Sequence, residues 1–193
     1  ADAVVLGSGI GTERNAQKLV SLVLKNCAVP LLLDADALNV IAKETELLLR
    51  PHTEMVVTPH LGEMARLTGD TVSLIQTRLV ESAFTFAQTY NVVCVLKDFH
   101  TVTAIPYALG YLNLSGNHGM ATGGSGDVLS GVIGAFLAQG LTADVAAPLG
   151  VFVHGLAGDE AAKTTGKRAL FSSDLIDGLS RVYDRADADS ERF

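Results

Sequence analysis

The sequence predicts an α/β protein whose mostly parallel central sheet is covered by helices on both faces. Three observations lead there. Short runs of Val and Leu without polar alternation recur along the chain and end in Gly, Asp or His, as strands buried on both faces do. Most are followed by stretches with helical i, i+3, i+4 spacing. After Gly119 the runs stop and helical spacing takes over. The strands fall at residues 3–6, 29–33, 55–58 and 92–96, and a weaker pair at 102–105 and 111–114, around Pro106 and Gly110, predicts a hairpin. Helices are expected over 14–25, 38–49, 62–67 and 77–90, then over 127–139, 142–164 and 172–185. Pro148 predicts a kink or a delayed start in the second late helix. Residues 1–183 read as one domain, and 184–193, with six charges and no apolar period, as a charged frayed tail.

Composition removes several function classes. The chain has 193 residues, 48% hydrophobic, which excludes intrinsic disorder. Acidic side chains outnumber basic ones 21 to 14, with no basic stripe, so nucleic acid is not an expected partner. Cys27 and Cys94 lie in apolar surroundings and read as small buried hydrophobes of a reducing compartment rather than a disulfide. The longest uncharged apolar run, 128–143, is short of the roughly 20 residues of a membrane span. It carries Ser130, Gly131, Gly134 and Gln139 and reads as a core helix. A cytoplasmic protein without membrane contact is the expectation. The opening, ADAVVLGSG, has no basic leader and no initiator Met, and its apolar strand at the very start predicts that upstream residues have been removed.

In an open α/β sheet, ligands bind beyond the carboxyl ends of the strands. Here those exits read LGSGIG (6–11), DADALN (34–39), TPHLGE (58–63), LKDFHT (96–101) and GNHGMATGGSGD (116–127). Any one of them alone is turn chemistry; five together point to a site. Gly123, Gly124, Ser125, Gly126 and Asp127 open the helix VLSGVIGAFLAQG. The glycines let the backbone approach a ligand closely, and the amides of the first helical turn suit a phosphate. A carboxylate beside a phosphate is costly unless it takes a proton or meets a cation. Asp127 therefore reads as a general base that activates a hydroxyl for attack on a phosphoryl group.

Around that centre, Asp34 and Asp36 fall on one face of a strand by alternation. They either hold Mg²⁺ or a ribose hydroxyl, or Asp36 caps the helix that follows. His60 is placed to grip a substrate, and Glu63 either to cap a helix or to hold a water on Mg²⁺. Lys97 leaves a buried strand, to pair with a carboxylate or meet a phosphate. The five histidines have no metal spacing, which argues against zinc. No GxxxxGK[ST] occurs, and LGSGIGTE is not GxGxxG.

GNHGMATGGSGDVLSG, DADALN, TPHLGE and the later HGLAGD (154–159) together resemble the ADP/ATP-dependent NAD(P)H-hydrate dehydratase family of the ribokinase-like superfamily, over all but the tail. The resemblance implies a three-layer αβα ribokinase-like fold and a repair enzyme. NADH or NADPH hydrated on the nicotinamide ring is phosphorylated on the ring hydroxyl by ADP or ATP with Mg²⁺, and phosphate is then eliminated. It implies that Gly9, His60 and Asp127 contact the hydrated cofactor, with Asp127 the base and Glu63 ordering Mg²⁺ through water. Lys97, Asp98, Phe99, His100 and Thr101, with Gly123, Gly124, Ser125 and Gly126, would contact the adenine nucleotide. It also implies a homo-oligomer, often a tetramer, and association with the companion epimerase. The family's late-strand segment usually reads Lys-Gly. Here it is Lys97-Asp98, and the acidic side chain is expected to alter nucleotide affinity. The family's domain has further strands, helices and a substrate contact upstream, so an exposed sheet edge is expected. GGSGD is shared with kinases of hydroxymethylpyrimidine or hydroxyethylthiazole type; DADALN with TPHLGE favours the dehydratase. A non-catalytic nucleotide-binding module would bind ADP without regard to Asp127.

Overall fold

The computed structural model describes residues 1–49 and 53–190. β1 (Val4–Leu6), β2 (Leu31–Leu33), β3 (Met55–Val57) and β4 (Val93–Leu96) pair in parallel and in chain order. β5 (Val102–Ala104) and β6 (Tyr111–Leu112) follow as the predicted antiparallel hairpin. Among the described residues this makes one six-stranded sheet, with β1 and β6 as its edges. Val5, on the β1 edge, is 45% exposed, as expected for an uncovered strand.

The sequential strand order decides where the helices go. Crossovers between parallel strands are right-handed, so three successive crossovers in one direction put their helices on the same face. α1 (Arg14–Asn26), α2 (Ala35–Ile41), α3 (Leu61–Thr68), α4 (Val72–Thr77) and α5 (Leu79–Tyr90) accordingly pack over Leu31, Leu33, Met55, Val57, Cys94 and Leu96. Leu32, Val56, Val93 and Val95 point the other way. They are covered by α6 (Ser125–Ala138) and α7 (Ala143–Thr165), through Leu129, Ile133, Phe136, Ala147 and Val151. α8 (Ser172–Ser190) packs against α7. The result is the expected three-layer αβα arrangement. Cys27 and Cys94 are both free thiols, and burial pushes Cys94 well above its ordinary pKa.

Four details differ from the sequence pattern. The helix expected over 38–49 begins earlier, at Ala35, and breaks after Ile41 into a 3-10 turn, Thr45–Leu49, that still buries Leu47 and Leu48. The helix expected over 77–90 is preceded by the separate α4, whose start is capped by Thr71 Oγ1 accepting from Leu74 N at 3.2 Å. α7 shows no delayed start at Pro148. The proline lies inside the helix, where its missing amide leaves the Asp144 carbonyl without an i+4 donor. The first turn is anchored by Glu54, which accepts from Ala143 N at 2.8 Å. The tail reading is corrected for 184–190, which continue α8; residues 191–193 lie outside the described residues.

α8 is held by charge as well as by packing. Glu160, buried on α7, accepts from Lys163 at 2.7 Å and from both terminal nitrogens of Arg185. The Lys163 hydrogen bond, with the charges of Arg185 and Arg181, holds its carboxyl below the ordinary value of 4.5. A depressed carboxyl stabilises the fold above its unfolded pKa and loses that contribution as pH falls through the folded one. Glu160→Gln should therefore lower stability at pH 7 and converge with the parent chain as pH drops below about 4, which urea denaturation across that range measures.

Candidate active site

The centre of the carboxyl edge is the start of α6. Gly124 is its N-cap residue and lies in the left-handed region (φ 85°), which glycine adopts without strain. Helix geometry leaves the amides of Gly126 and Asp127 without intrahelical acceptors, and they face outwards with the positive end of the helix dipole. A methyl on Gly126 would stand 3.4 Å from Lys97 Nζ, so the lysine ammonium lies directly against this turn. An anion at these amides would meet both.

Asp127 is exposed beside this turn, and its Oδ1 accepts from Ser8 Oγ at 2.6 Å. The β1 exit is thereby joined to α6. Gly7 makes the approach possible, since a Cβ there would stand 1.8 Å from Asp34 O and its φ is 146°. Gly11 N donates to Asp36 Oδ2 at 2.9 Å, tying the β1 exit to the β2 exit as well. Gly9, in the same loop, is exposed.

Asp34 and Asp36 do not share a face. The strand ends at Leu33, so alternation no longer applies, and the two carboxylates diverge. Asp34 is buried, its Oδ1 accepting from Lys97 Nζ at 2.9 Å and its Oδ2 from Ser130 Oγ at 2.7 Å. Asp36 lies inside the first turn of α2 rather than capping it, and serves the β1 loop. A shared metal or ribose subsite of the pair is thus replaced by two loop anchors.

His60 and Glu63 form a reciprocal cap on α3. His60 Nδ1 accepts from Gly62 N at 2.9 Å, and Glu63 Oε2 accepts from His60 N at 2.8 Å. His60 keeps half of its side chain exposed at the rim, its Nε2 3.4 Å from Glu63 Oε1. Burial raises the Glu63 carboxyl above its ordinary value, against the His60 backbone hydrogen bond and the Lys97 charge, which lower it. Lys97 N donates to Pro59 O at 2.8 Å, so the β3 and β4 exits touch.

The loop leading into α6 is seated on α7. Asp159 accepts from Gly116 N at 2.9 Å and from Asn117 Nδ2 at 3.0 Å. The close approach needs small residues: a Cβ on Gly155 would stand 2.1 Å from Ser115 Oγ, and one on Gly158 2.2 Å from Met120 Sδ. His154 lies beneath Ser125, Nε2 to Oγ 3.5 Å. Burial, reinforced by Lys97 and opposed by the Ser125 backbone, pushes its pKa down to about 4, so it is neutral at physiological pH.

The structure therefore gathers Gly9, His60, Glu63, Lys97, Gly123, Gly124, Ser125, Gly126 and Asp127 at one edge of the sheet. Asp98 and Thr101 are half-buried on the adjoining turn, and Phe99 and His100 are exposed there with their rings 4.6 Å apart. Ser8, Ser130 and Asp159 were not singled out from the sequence. Ser8 lies inside LGSGIG and Asp159 inside HGLAGD, so position within those motifs was the available signal; Ser130 follows Gly126 by one helical turn.

The profile of the NAD(P)H-hydrate dehydratase family matches residues 1–181. The chain belongs to that family. A bifunctional NAD(P)H-hydrate repair enzyme of Moorella thermoacetica is 45% identical over 181 residues, 94% of this chain and 34% of the relative. This chain thus spans about a third of that relative's length. The crystal structure of an ADP/ATP-dependent NAD(P)H-hydrate dehydratase from Bacillus subtilis, co-crystallised with ATP and Mg²⁺, is 31% identical with a TM-score of 0.83. The match covers 95% of this chain and 64% of that one. A ribokinase-like superfamily protein from Enterococcus faecalis is 26% identical, with a TM-score of 0.79 over 96% of this chain and 63% of that one.

Asp159 carries the seating of the loop before α6. Asp159→Ala should cost about 2–3 kcal/mol, for two charge-assisted hydrogen bonds lost at a half-buried site. Chemical denaturation measures that loss, and limited proteolysis should cut first within 116–122.

Proposed function

We propose that this chain restores hydrated NADH or NADPH by a nucleotide-dependent dehydration, with ADP or ATP as phosphoryl donor. The observation that carries the reading is Asp127: an exposed carboxylate held by Ser8, placed beside the amides at the start of α6 and near the Lys97 ammonium. Phosphates of the nucleotide sit against the amides of Gly126 and Asp127, where the helix dipole and Lys97 offset their charge. Asp127 takes the proton of the ring hydroxyl at C6 while that oxygen attacks the terminal phosphoryl group, whose bond to the bridging oxygen breaks to release AMP from ADP or ADP from ATP. The C6–O bond then breaks, phosphate leaves, and loss of a proton from C5 to water restores the ring double bond. His60, at the rim, and Gly9 orient the hydrated ring, and the turn 97–101 supports the adenine nucleotide.

The described residues contain no cluster of three acidic, histidine or cysteine side chains able to hold a metal by themselves. A Mg²⁺ ion bound chiefly by nucleotide phosphates and water fits that donor set. Glu63 would hold it through water, since both of its carboxylate oxygens already face His60. Mg²⁺ supplies neutralisation of the phosphate charge. The bifunctional relative supports a second activity working alongside this one, which we assign to the companion epimerase. A homo-oligomer, a tetramer in the expected form, working in the cytoplasm completes the reading. No helix among the described residues is long and apolar enough to cross a membrane.

Recovery of reduced-nicotinamide absorbance from hydrated NADH, Mg²⁺ and ADP, with ATP in parallel, is the direct test. Asp127→Asn should keep nucleotide binding and lose about 10²–10⁴ in kcat, the usual share of a general base. A stable phosphorylated product without recovered NADH would instead identify a small-molecule kinase. Unchanged turnover by the variant would remove Asp127 as the base.

A further inference from the structure

A buried ion pair needs its remaining lone pairs and N–H groups satisfied as well as packing around it. The pair of Asp34 and Lys97 is satisfied in a way that ties it to α6. Asp34 is 2% exposed, and Ser130 occupies its second oxygen, so the carboxylate is fixed at both ends, to β4's exit and to α6. Residues 126 and 130 are four apart on α6 and share one face. Ser130 donates to Asp34 on that face, and Gly126, one turn above, lies in contact range of both charged groups: a Cβ there would stand 3.4 Å from Lys97 Nζ and 3.9 Å from Asp34 Oδ2. The ammonium is also four-fifths buried, where its charge is screened less than at the surface.

The groups around Lys97 leave it as the cation of the edge. Asp34 faces it from the β2 exit, Glu63 from α3 and His154 from α7. His154 is neutral, and Glu63 is pulled towards neutrality by burial. Asp34 is therefore the counter-charge that fixes where the ammonium stands.

We propose that Asp34 and Ser130 are positioning residues that hold the Lys97 ammonium against the first turn of α6, where the transferred phosphoryl group carries its charge. This inference rests on the phosphoryl-transfer reading of the same turn. Ser130 acts on Asp34, Asp34 on Lys97, and only Lys97 meets the nucleotide.

A double-mutant cycle on the full chain tests the order of action. Ser130→Ala alone should lower kcat/KM, and weaken ADP or ATP binding measured by calorimetry with Mg²⁺, by about tenfold together. In a Lys97→Met background the same substitution should change either quantity by less than about twofold, because the group it acts through is gone. A merely structural role would give the same loss in both backgrounds, and that result, or no loss in the parent chain, overturns the proposal. Asp34→Asn serves as the second entry to the cycle if Ser130→Ala fails to fold, with the same non-additivity expected. If the parent chain binds nucleotide but restores no NADH, the dehydratase reading fails and the binding cycle still decides this one. If it binds no nucleotide, both fall.

Discussion

One buried ion pair joins most of the carboxyl edge of this protein. Asp34 leaves β2, Lys97 leaves β4, and Ser130 reaches Asp34 from α6. A carboxylate taken out of water must be paired and hydrogen-bonded, and losing one partner costs far more than the pair itself contributes. The β3 exit is fixed to Lys97 through its backbone, and the β1 exit to the same group through Gly7 against Asp34. Four parallel strands thus converge on a single charged contact, and the exposed catalytic candidates stand on the loops it holds.

The helical layer on the far face has a comparable constraint, set by size rather than charge. Gly155 and Gly158 let the 115–120 segment lie directly on α7, and Asp159 takes its two loop donors from the same helix. The sequence HGLAGD therefore works as a seat: small residues for contact, a carboxylate for the loop amide and the Asn117 side chain, and a neutral histidine beneath Ser125. The loop before α6 is held from behind, which leaves its front amides open to a ligand.

Buried ionisable groups in this chain have separate fates, decided by their neighbours. Asp34 is paired directly with Lys97, and Lys163 and Arg185 hold the Glu160 carboxyl below its ordinary value. Glu63 lacks such a direct partner beyond His60, and its burial raises it. His154, enclosed near a lysine, loses its proton. The site edge consequently holds the Lys97 ammonium in a protein of net negative charge, which suits it to a polyanionic nucleotide.

The sequence by itself determined the layers and marked a candidate edge. Apolar runs without alternation gave the parallel strands, and glycines and acids gathered at their exits, because strand burial and turn chemistry are local. The GGSGD helix start was legible for the same reason. Contacts between exits were not. That Asp34 turns to Lys97 and Asp36 to Gly11 depends on where β2 ends, and sequence alternation runs on past that point. Ser8 with Asp127, Ser130 with Asp34, and Asp159 with Asn117 join residues separated by 119, 96 and 42 positions. Only the right-handed crossovers and the return of α6 and α7 across the open face bring those pairs within hydrogen-bonding distance. The helical continuation of 184–190 was likewise invisible to periodicity, since it carries charges where a helix normally carries its apolar stripe, and Arg185 finds its partner only on the neighbouring helix.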